Sequence, residues 1–307
     1  MTIKYRRIAL ISLLHLVVMA KSTDLSAEDF KAKDPSGVMD VVFLGQTRLN
    51  ESSGLAVSRV RPKHFWSHND SGGKAHIYAF DWRGRQTGQI KLKSAEVVDW
   101  EDMASFTDHG IPRLLIADCG DNQASRVSIT LHLFDEPDPT QSTSPKDIQT
   151  ISVIYPDGPR DCEAVAVDEQ RHQIVLISKS ALPACGVYLV PLPQRVTKST
   201  QATVTAKRIG TLPLPMVTAM DVDPSSGDIW VVSYFQAFRF RCADREGSIA
   251  RQISALPEPH ELPRWKQIES VAVDAANDIW VTSEGSPAPL GRLPQNHSPS
   301  SRRSARP

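Results

Sequence analysis

One pattern recurs five times along this 307-residue chain, and it restricts the fold more than any other feature. Each copy is an apolar strand, a turn, and a second strand rich in Trp, Val and Ile. The first copy pairs Ser53-Gly-Leu-Ala-Val-Ser with His64-Phe-Trp-Ser-His-Asn-Asp, and the second pairs Glu101-Asp-Met-Ala-Ser-Phe with Arg113-Leu-Leu-Ile-Ala-Asp. The third pairs Glu163-Ala-Val-Ala-Val-Asp with Gln173-Ile-Val-Leu-Ile-Ser-Lys. Thr218-Ala-Met-Asp-Val-Asp with Asp228-Ile-Trp-Val-Val-Ser-Tyr, and Glu269-Ser-Val-Ala-Val-Asp with Asp278-Ile-Trp-Val-Thr-Ser-Glu, complete the series. Successive starts lie 48, 62, 55 and 51 residues apart, room for four short strands each. A repeat of that length, unable to bury its apolar faces alone, predicts a ring of blades.

Third strands are expected at His76-Ile-Tyr-Ala-Phe-Asp, Ser128-Ile-Thr-Leu-His-Leu-Phe, Gly186-Val-Tyr-Leu-Val-Pro, Ala237-Phe-Arg-Phe-Arg and Ala288-Pro-Leu-Gly-Arg-Leu. Fourth strands are expected before the next repeat, as at Gln89-Ile-Lys-Leu and Val204-Thr-Ala-Lys-Arg-Ile. The last repeat lacks one, while Val41-Val-Phe-Leu-Gly stands unused before the first. Pairing the two would close the ring and remove its open edges. The predicted fold is an all-β, five-bladed β-propeller over residues 38–294, closed by an N-terminal strand, with six blades as the alternative.

The flanks read differently. Residues 1–20 match a secretory signal peptide: Lys4, Arg6 and Arg7, then an apolar run from Ile8 to Met19, then Ala20. That run is short for a bilayer span, and no membrane anchor is expected after its removal. Residues 21–37 form a polar leader, and 295–307 form a Ser/Pro/Arg tail expected to be disordered. The expected location is secreted or periplasmic. Thirty-five basic residues against 35 acidic ones remove the bulk electrostatic case for a nucleic-acid partner. A monomer is expected. Export would permit disulfides among Cys119, Cys162, Cys185 and Cys242. Cys162–Cys185 is the preferred bridge, with isolated buried thiols as the alternative.

Strand alternation points to one end of the channel. The residue opening each inner strand is Ser53, Glu101, Glu163, Thr218 or Glu269, and two positions earlier stand Glu51, Asp99, Asp161, Met216 and Gln267. The second strands end there with Asn69 and Asp70, Asp118, Lys179, Tyr234 and Glu284. Crowded carboxylates raise one another's pKa or require a cation between them. Glu51, Asn69, Glu101, Asp118, Glu163 and Glu269 are therefore candidate ligands for a divalent metal, calcium best among them because the donors are all oxygen. Such an ion can polarise a phosphoryl or carbonyl oxygen and activate water. Glu101, Glu163, Lys179 and His68 are the candidate catalytic residues, as general base, proton carrier or anion holder. A solvated channel with acidic groups satisfying backbone N–H groups is the competing reading.

Two acidic runs, Asp221-Val-Asp-Pro-Ser-Ser-Gly-Asp and 273–278, fall between strands and read as turns. Asp118-Cys-Gly-Asp-Asn-Gln is longer than a turn needs and reads as a site loop. No Gly-x-Ser-x-Gly elbow, phosphate-cradling Gly loop, His-Glu-x-x-His or zinc-type Cys pairing is present.

Ser53-Gly-Leu-Ala-Val, Phe-Trp-Ser-His-Asn-Asp-Ser-Gly and Ile-Tyr-Ala-Phe-Asp resemble the openings of secreted bacterial propellers. These are the esterase-like phytase group, the SdiA-regulated group and, more distantly, the gluconolactonase (SMP-30) group. Asp99-Trp-Glu-Asp-Met-Ala, Ile-Ala-Asp-Cys-Gly-Asp-Asn and Asp161-Cys-Glu-Ala resemble blocks of other exported relatives. The gluconolactonase resemblance implies one divalent ion held in the channel by Glu, Asn and Asp, here Glu51 or Glu101, Asn69 and Asp118. The expected function is metal-dependent hydrolysis of phosphate esters, lactones or carboxylic esters. The alternative is a non-catalytic module that binds a small molecule or carbohydrate, or an interaction module of the cell envelope.

Overall fold

The computed structural model describes residues 40–46, 48–70, 74–93 and 95–294. The signal peptide, the leader and the tail expected from the sequence lie outside the described residues. Within them no helix is long and apolar enough to cross a membrane.

Five sheets form the blades of a β-propeller. Blade 1 comprises Ser52–Val57, His64–Asn69, His76–Asp81 and Gln86–Lys91, and blade 2 comprises Trp100–Asp108, Ile111–Asp118, Ile129–Asp135 and Gln149–Ile154. Blade 3 comprises Cys162–Asp168, Gln173–Ser178, Cys185–Pro191 and Lys207–Leu212, and blade 4 comprises Val217–Val222, Ile229–Ser233, Ala237–Phe240 and Glu258–His260. Blade 5 holds Ile268–Val273, Ile279–Ser283 and Pro289–Arg292, and Val41–Phe43 pairs antiparallel with the last of these as its fourth strand. The ring is thus closed as the repeat count predicts.

The apolar residues divide into five clusters, one at each interface between neighbouring blades. Every sheet is covered on both faces, which is why these inner strands are buried along their whole length, with polar residues only toward their ends. The inner hairpins turn through a residue of positive φ in each blade: Lys63, His109 with Gly110, His172, Gly227 and Asn277. Asp223 and Asp274 brace two of these turns by accepting from backbone N–H groups of Ser225 and Ser226, and of Ala276 and Asp278. The two acidic runs are turn chemistry, as expected.

Two expectations are corrected. Residues 204–209 are not one strand: Thr200–Thr205 joins blade 2 as a parallel fifth strand, and Lys207–Leu212 is the fourth strand of blade 3. Buried Ala206 marks the step between them, bonding back to Ile154. The Cys162–Cys185 bridge is absent, and all four cysteines are free thiols. Cys162 packs between blades 2 and 3 and Cys185 between blades 3 and 4, so a sheet separates their surroundings.

Candidate functional site

Each inner strand carries a β-bulge in the same place. Register shifts between Ser52 and Gly54, Trp100 and Asp102, Cys162 and Ala164, Val217 and Ala219, and Ile268 and Ser270 leave one residue per blade outside the ladder. Those residues are Ser53, Glu101, Glu163, Thr218 and Glu269, the same five that open the sequence repeats. A bulge re-aims its side chain and kinks the strand. In blades 1 and 4 the bulged hydroxyl ties to the next blade, Ser53 Oγ donating to Glu101 O at 2.7 Å and Thr218 Oγ1 to Ile268 O at 2.9 Å. In the other three blades the position holds a glutamate.

The carboxylates of blades 1 to 3 meet at this mouth in two groups that share Glu101. Asp70, Asp99 and Glu101 form one, and Glu101, Asp161 and Glu163 the other, with one oxygen from each residue within 4.8 Å of its partners. Three oxygens gathered this closely are what one shared divalent cation requires. Burial pushes the Glu101 carboxyl well above the ordinary range, reinforced by Glu163, Asp70, Asp99 and Asp161. Burial and Asp70 lift Asp99 to about 7. Burial also lifts Glu163 to about 8, with Lys179 opposing and Asp161 and Glu269 reinforcing. Burial first, and the neighbouring carboxylates second, favour the protonated form of these groups near neutral pH.

The loop after the second strand of blade 2 roofs the groups. Asp121 N donates to Asp161 Oδ1 at 2.9 Å, and Gly120 N donates to Asp99 O at 3.2 Å. A β-carbon on Gly120 would overlap Glu101 Oε1 and lie 2.5 Å from Asp99 Cγ, so only glycine leaves both carboxylates in place. Arg126 holds the loop from behind through Asp118 Oδ1 at 2.7 Å and the Gly120 carbonyl at 2.8 Å. This is the segment the sequence singles out as a site loop.

Blades 3 to 5 supply the other half of the mouth. Lys179 Nζ is ion-paired to Glu163 and donates to Tyr234 Oη at 3.0 Å. Burial lowers the Lys179 pKa but Glu163 and Tyr234 outweigh it, leaving the amine above its usual value and charged. Tyr234 donates to Glu269 Oε1 at 3.4 Å, and Gln267 Nε2 donates to Glu269 and Glu284 at 3.1 and 3.0 Å. Glu269 is raised to about 7, by burial first and Glu284 second. Around this mouth the loops expose Val98, Val127, Leu182 and Phe235.

The remaining candidate residues stand apart from the two groups. Asn69 is spent on the 48–51 loop, its Oδ1 accepting from Asn50 and Glu51 N–H and its Nδ2 donating to the Arg48 carbonyl. Asp118 accepts from Val98 and Asp99 N–H besides Arg126. The Glu51 side chain is exposed. His68 is fully buried against Trp100, its Nδ1 within 2.8 Å of the Asn69 carbonyl, and burial lowers its pKa. Asp70, Asp99 and Asp161 were legible as mouth residues without ranking as ligands. Only the bulges distinguish them, by turning Glu101 and Glu163 toward the residues that precede the strand.

No protein-family model matches this sequence, and no curated protein matches it. Solved structures do. The major allergen Mala s 1 of Malassezia sympodialis superposes with a TM-score of 0.53 at 12% identity, over 82% of this chain and 95% of that one. The soluble aldose sugar dehydrogenase of Escherichia coli, in its apo form, gives 0.50 at 9% identity, over 84% of this chain and all of that one. At these identities the likeness is one of fold.

Proposed function

We propose that the acidic mouth binds one divalent cation, calcium, and that the protein uses it to hydrolyse a phosphate ester, lactone or carboxylic ester. The observation that carries the reading is the shared Glu101: two carboxylate triads, each close enough to share a cation, converge on it. The donor set fits, being all oxygen, and the bare backbone of Gly120 leaves room for it. When bound, the cation would polarise the phosphoryl or carbonyl oxygen of the substrate. Asp70, Asp99, Glu101 and Asp161 would hold the ion. Lys179 would hold an anionic oxygen of the substrate, and Glu163, raised to about 8, would exchange a proton near neutral pH. Export through residues 1–20 would expose the mouth to calcium at roughly 10⁻⁴–10⁻³ M, the range to which extracellular sites are tuned.

A second reading, capture of a small molecule without turnover, is favoured by the exposed rim, where Phe235 and Leu182 are 66% and 69% accessible. The two separate in one experiment. The purified protein is stripped with EDTA, reloaded with calcium, and assayed on 4-nitrophenyl phosphate, δ-valerolactone and 4-nitrophenyl acetate. Calcium-dependent turnover that Glu101→Gln abolishes supports the hydrolase. Calcium binding without turnover leaves the capture reading, and absence of calcium binding contradicts the metal-dependent hydrolase.

A further inference from the structure

We propose that the end of the propeller opposite the acidic mouth carries a second ligand site, for a small organic anion with an apolar body. A cavity of about 780 Å³ opens where blade 5 meets blade 1. That volume lies within the range of roughly 300–1,000 Å³ found for small-molecule sites. Its walls come from the inner hairpin turns of both blades and from the N-terminal strand that closes the ring. The inner strand of blade 1 runs from the mouth at Ser53 to Val57 at the cavity, about 13 Å at ordinary strand rise. The two sites are therefore separate.

The lining is apolar with charge around it, three acidic residues (Asp40, Asp274, Asp278) against three basic ones (Arg59, Lys63, Arg292), and the two signs differ in how they are engaged. Among the described residues, the acidic groups are taken. Arg292 pairs with Asp278 at 2.9 Å and Asp40 at 3.4 Å, and Asp274 accepts from Trp280 Nε1 at 2.9 Å. The basic groups of the blade 1 side are engaged weakly. Lys63 Nζ lies 5.6 Å from the centre of the Trp82 ring, and the Arg83 guanidinium lies 4.9 Å from it. The Arg59 side chain donates to the Ser105 carbonyl at 3.3 Å, lies 3.9 Å from Glu169 and favours the charged form of nearby Asp221, and its buried Nε has no hydrogen-bond partner. A buried N–H without an acceptor is costly, and an anion in the cavity would relieve it.

Trp82 supplies the other half of the recognition. The residue is 42% exposed, and its backbone N–H donates to the Lys63 carbonyl at 2.9 Å. Trp280 faces the same cavity with its indole N–H fixed on Asp274. Two indoles, one of them fixed on Asp274, beside Lys63 with no carboxylate partner and the unpaired Arg59 Nε fit an anionic head on an apolar chain better than a neutral sugar or a cation.

The test uses octanoate, octan-1-ol and octylammonium as probes, in EDTA so that the mouth plays no part. Binding is read from the indole N–H signals of Trp82 and Trp280 by NMR, assigned with Trp82→Ala and Trp280→Phe. Octanoate should shift both signals and bind about tenfold tighter than octan-1-ol, the selectivity of roughly one favourable charge contact. Lys63→Asn, which suits the positive φ of 59° at that position, should weaken octanoate about three- to fivefold and leave octan-1-ol unchanged. Equal binding of the three probes, tighter binding of octylammonium, no response of either indole up to about 10 mM, or an unchanged octanoate affinity in Lys63→Asn would each overturn the proposal.

Discussion

Gly120 lies directly over Glu101, so that a single added carbon would occupy the space of the Oε1 oxygen. The loop that carries it is tied to the acidic groups through Asp121 and Asp161 and braced by Arg126. The backbone, and not a side chain, therefore sets the height of the mouth. Gly120→Ala should leave the blade cores folded and remove the calcium-induced rise in melting temperature. A variant that retains the full rise would show that the Gly120 approach is unrelated to the cation.

The acidic groups set a pH dependence whose sign follows from their raised pKa values. Glu101, Asp99 and Glu163 bind protons more tightly in the folded chain than in the unfolded one. The stability they contribute is full below about pH 4, the unfolded carboxylate range, and is lost as pH rises through the folded values of about 7 for Asp99 and about 8 for Glu163. Buried Asp221, raised to about 6, acts in the same direction. In EDTA the melting temperature should therefore fall between pH 5 and 9. Calcium should flatten the upper part of that fall, and its affinity should increase with pH as protons stop competing. Calorimetric melts across that range, with and without the ion, read both effects.

Lys179 and Glu163 form an ion pair in which both side chains are largely covered, 14% and 7% exposed. Lys179→Met leaves Glu163 without its cation, a loss of about 2 kcal/mol at pH 9, shrinking toward pH 6 where the carboxyl takes up a proton. Pairing it with Glu163→Gln should restore most of the stability at pH 9. Denaturant melts of the two single variants and the double give the coupling energy. Additive losses would contradict the pair.

Much of the fold was legible because burial on both faces leaves the inner strands largely apolar, and because one polar residue recurs at each strand opening. The same residues proved to be bulges, which explains why a strand-start position in sequence marks a channel position in space. Glu101 and Glu163 were readable on that basis. Asn69 and Asp118 were not separable from them, since nothing local reveals that backbone N–H groups at 50–51 and 98–99 will claim both side chains. The parallel addition of Thr200–Thr205 to blade 2 was hidden for a similar reason, as its partner Gln149–Ile154 lies some 50 residues earlier. The cysteine pairing failed because chain proximity says nothing about which blade interface a thiol enters.

Asp102 joins three blades from a single carboxylate. Its Oδ1 accepts from Met103 N at 2.8 Å, and its Oδ2 accepts from Val165 at 2.8 Å and Met220 at 3.4 Å. Asp102→Ala strands two buried N–H groups of neighbouring blades and should cost about 3 kcal/mol or more. Urea titration measures the loss. A change below about 0.5 kcal/mol, the range of an ordinary surface substitution, would show that the three bonds are dispensable.

Thermal unfolding reads whether Glu101 and its neighbours hold a divalent cation. The protein is melted in EDTA and again with calcium at about a hundred times its dissociation constant, where binding adds roughly 2.7 kcal/mol. The wild type should show a clear rise and Glu101→Gln none. A wild-type melting temperature that calcium, magnesium and manganese all leave unchanged would contradict it.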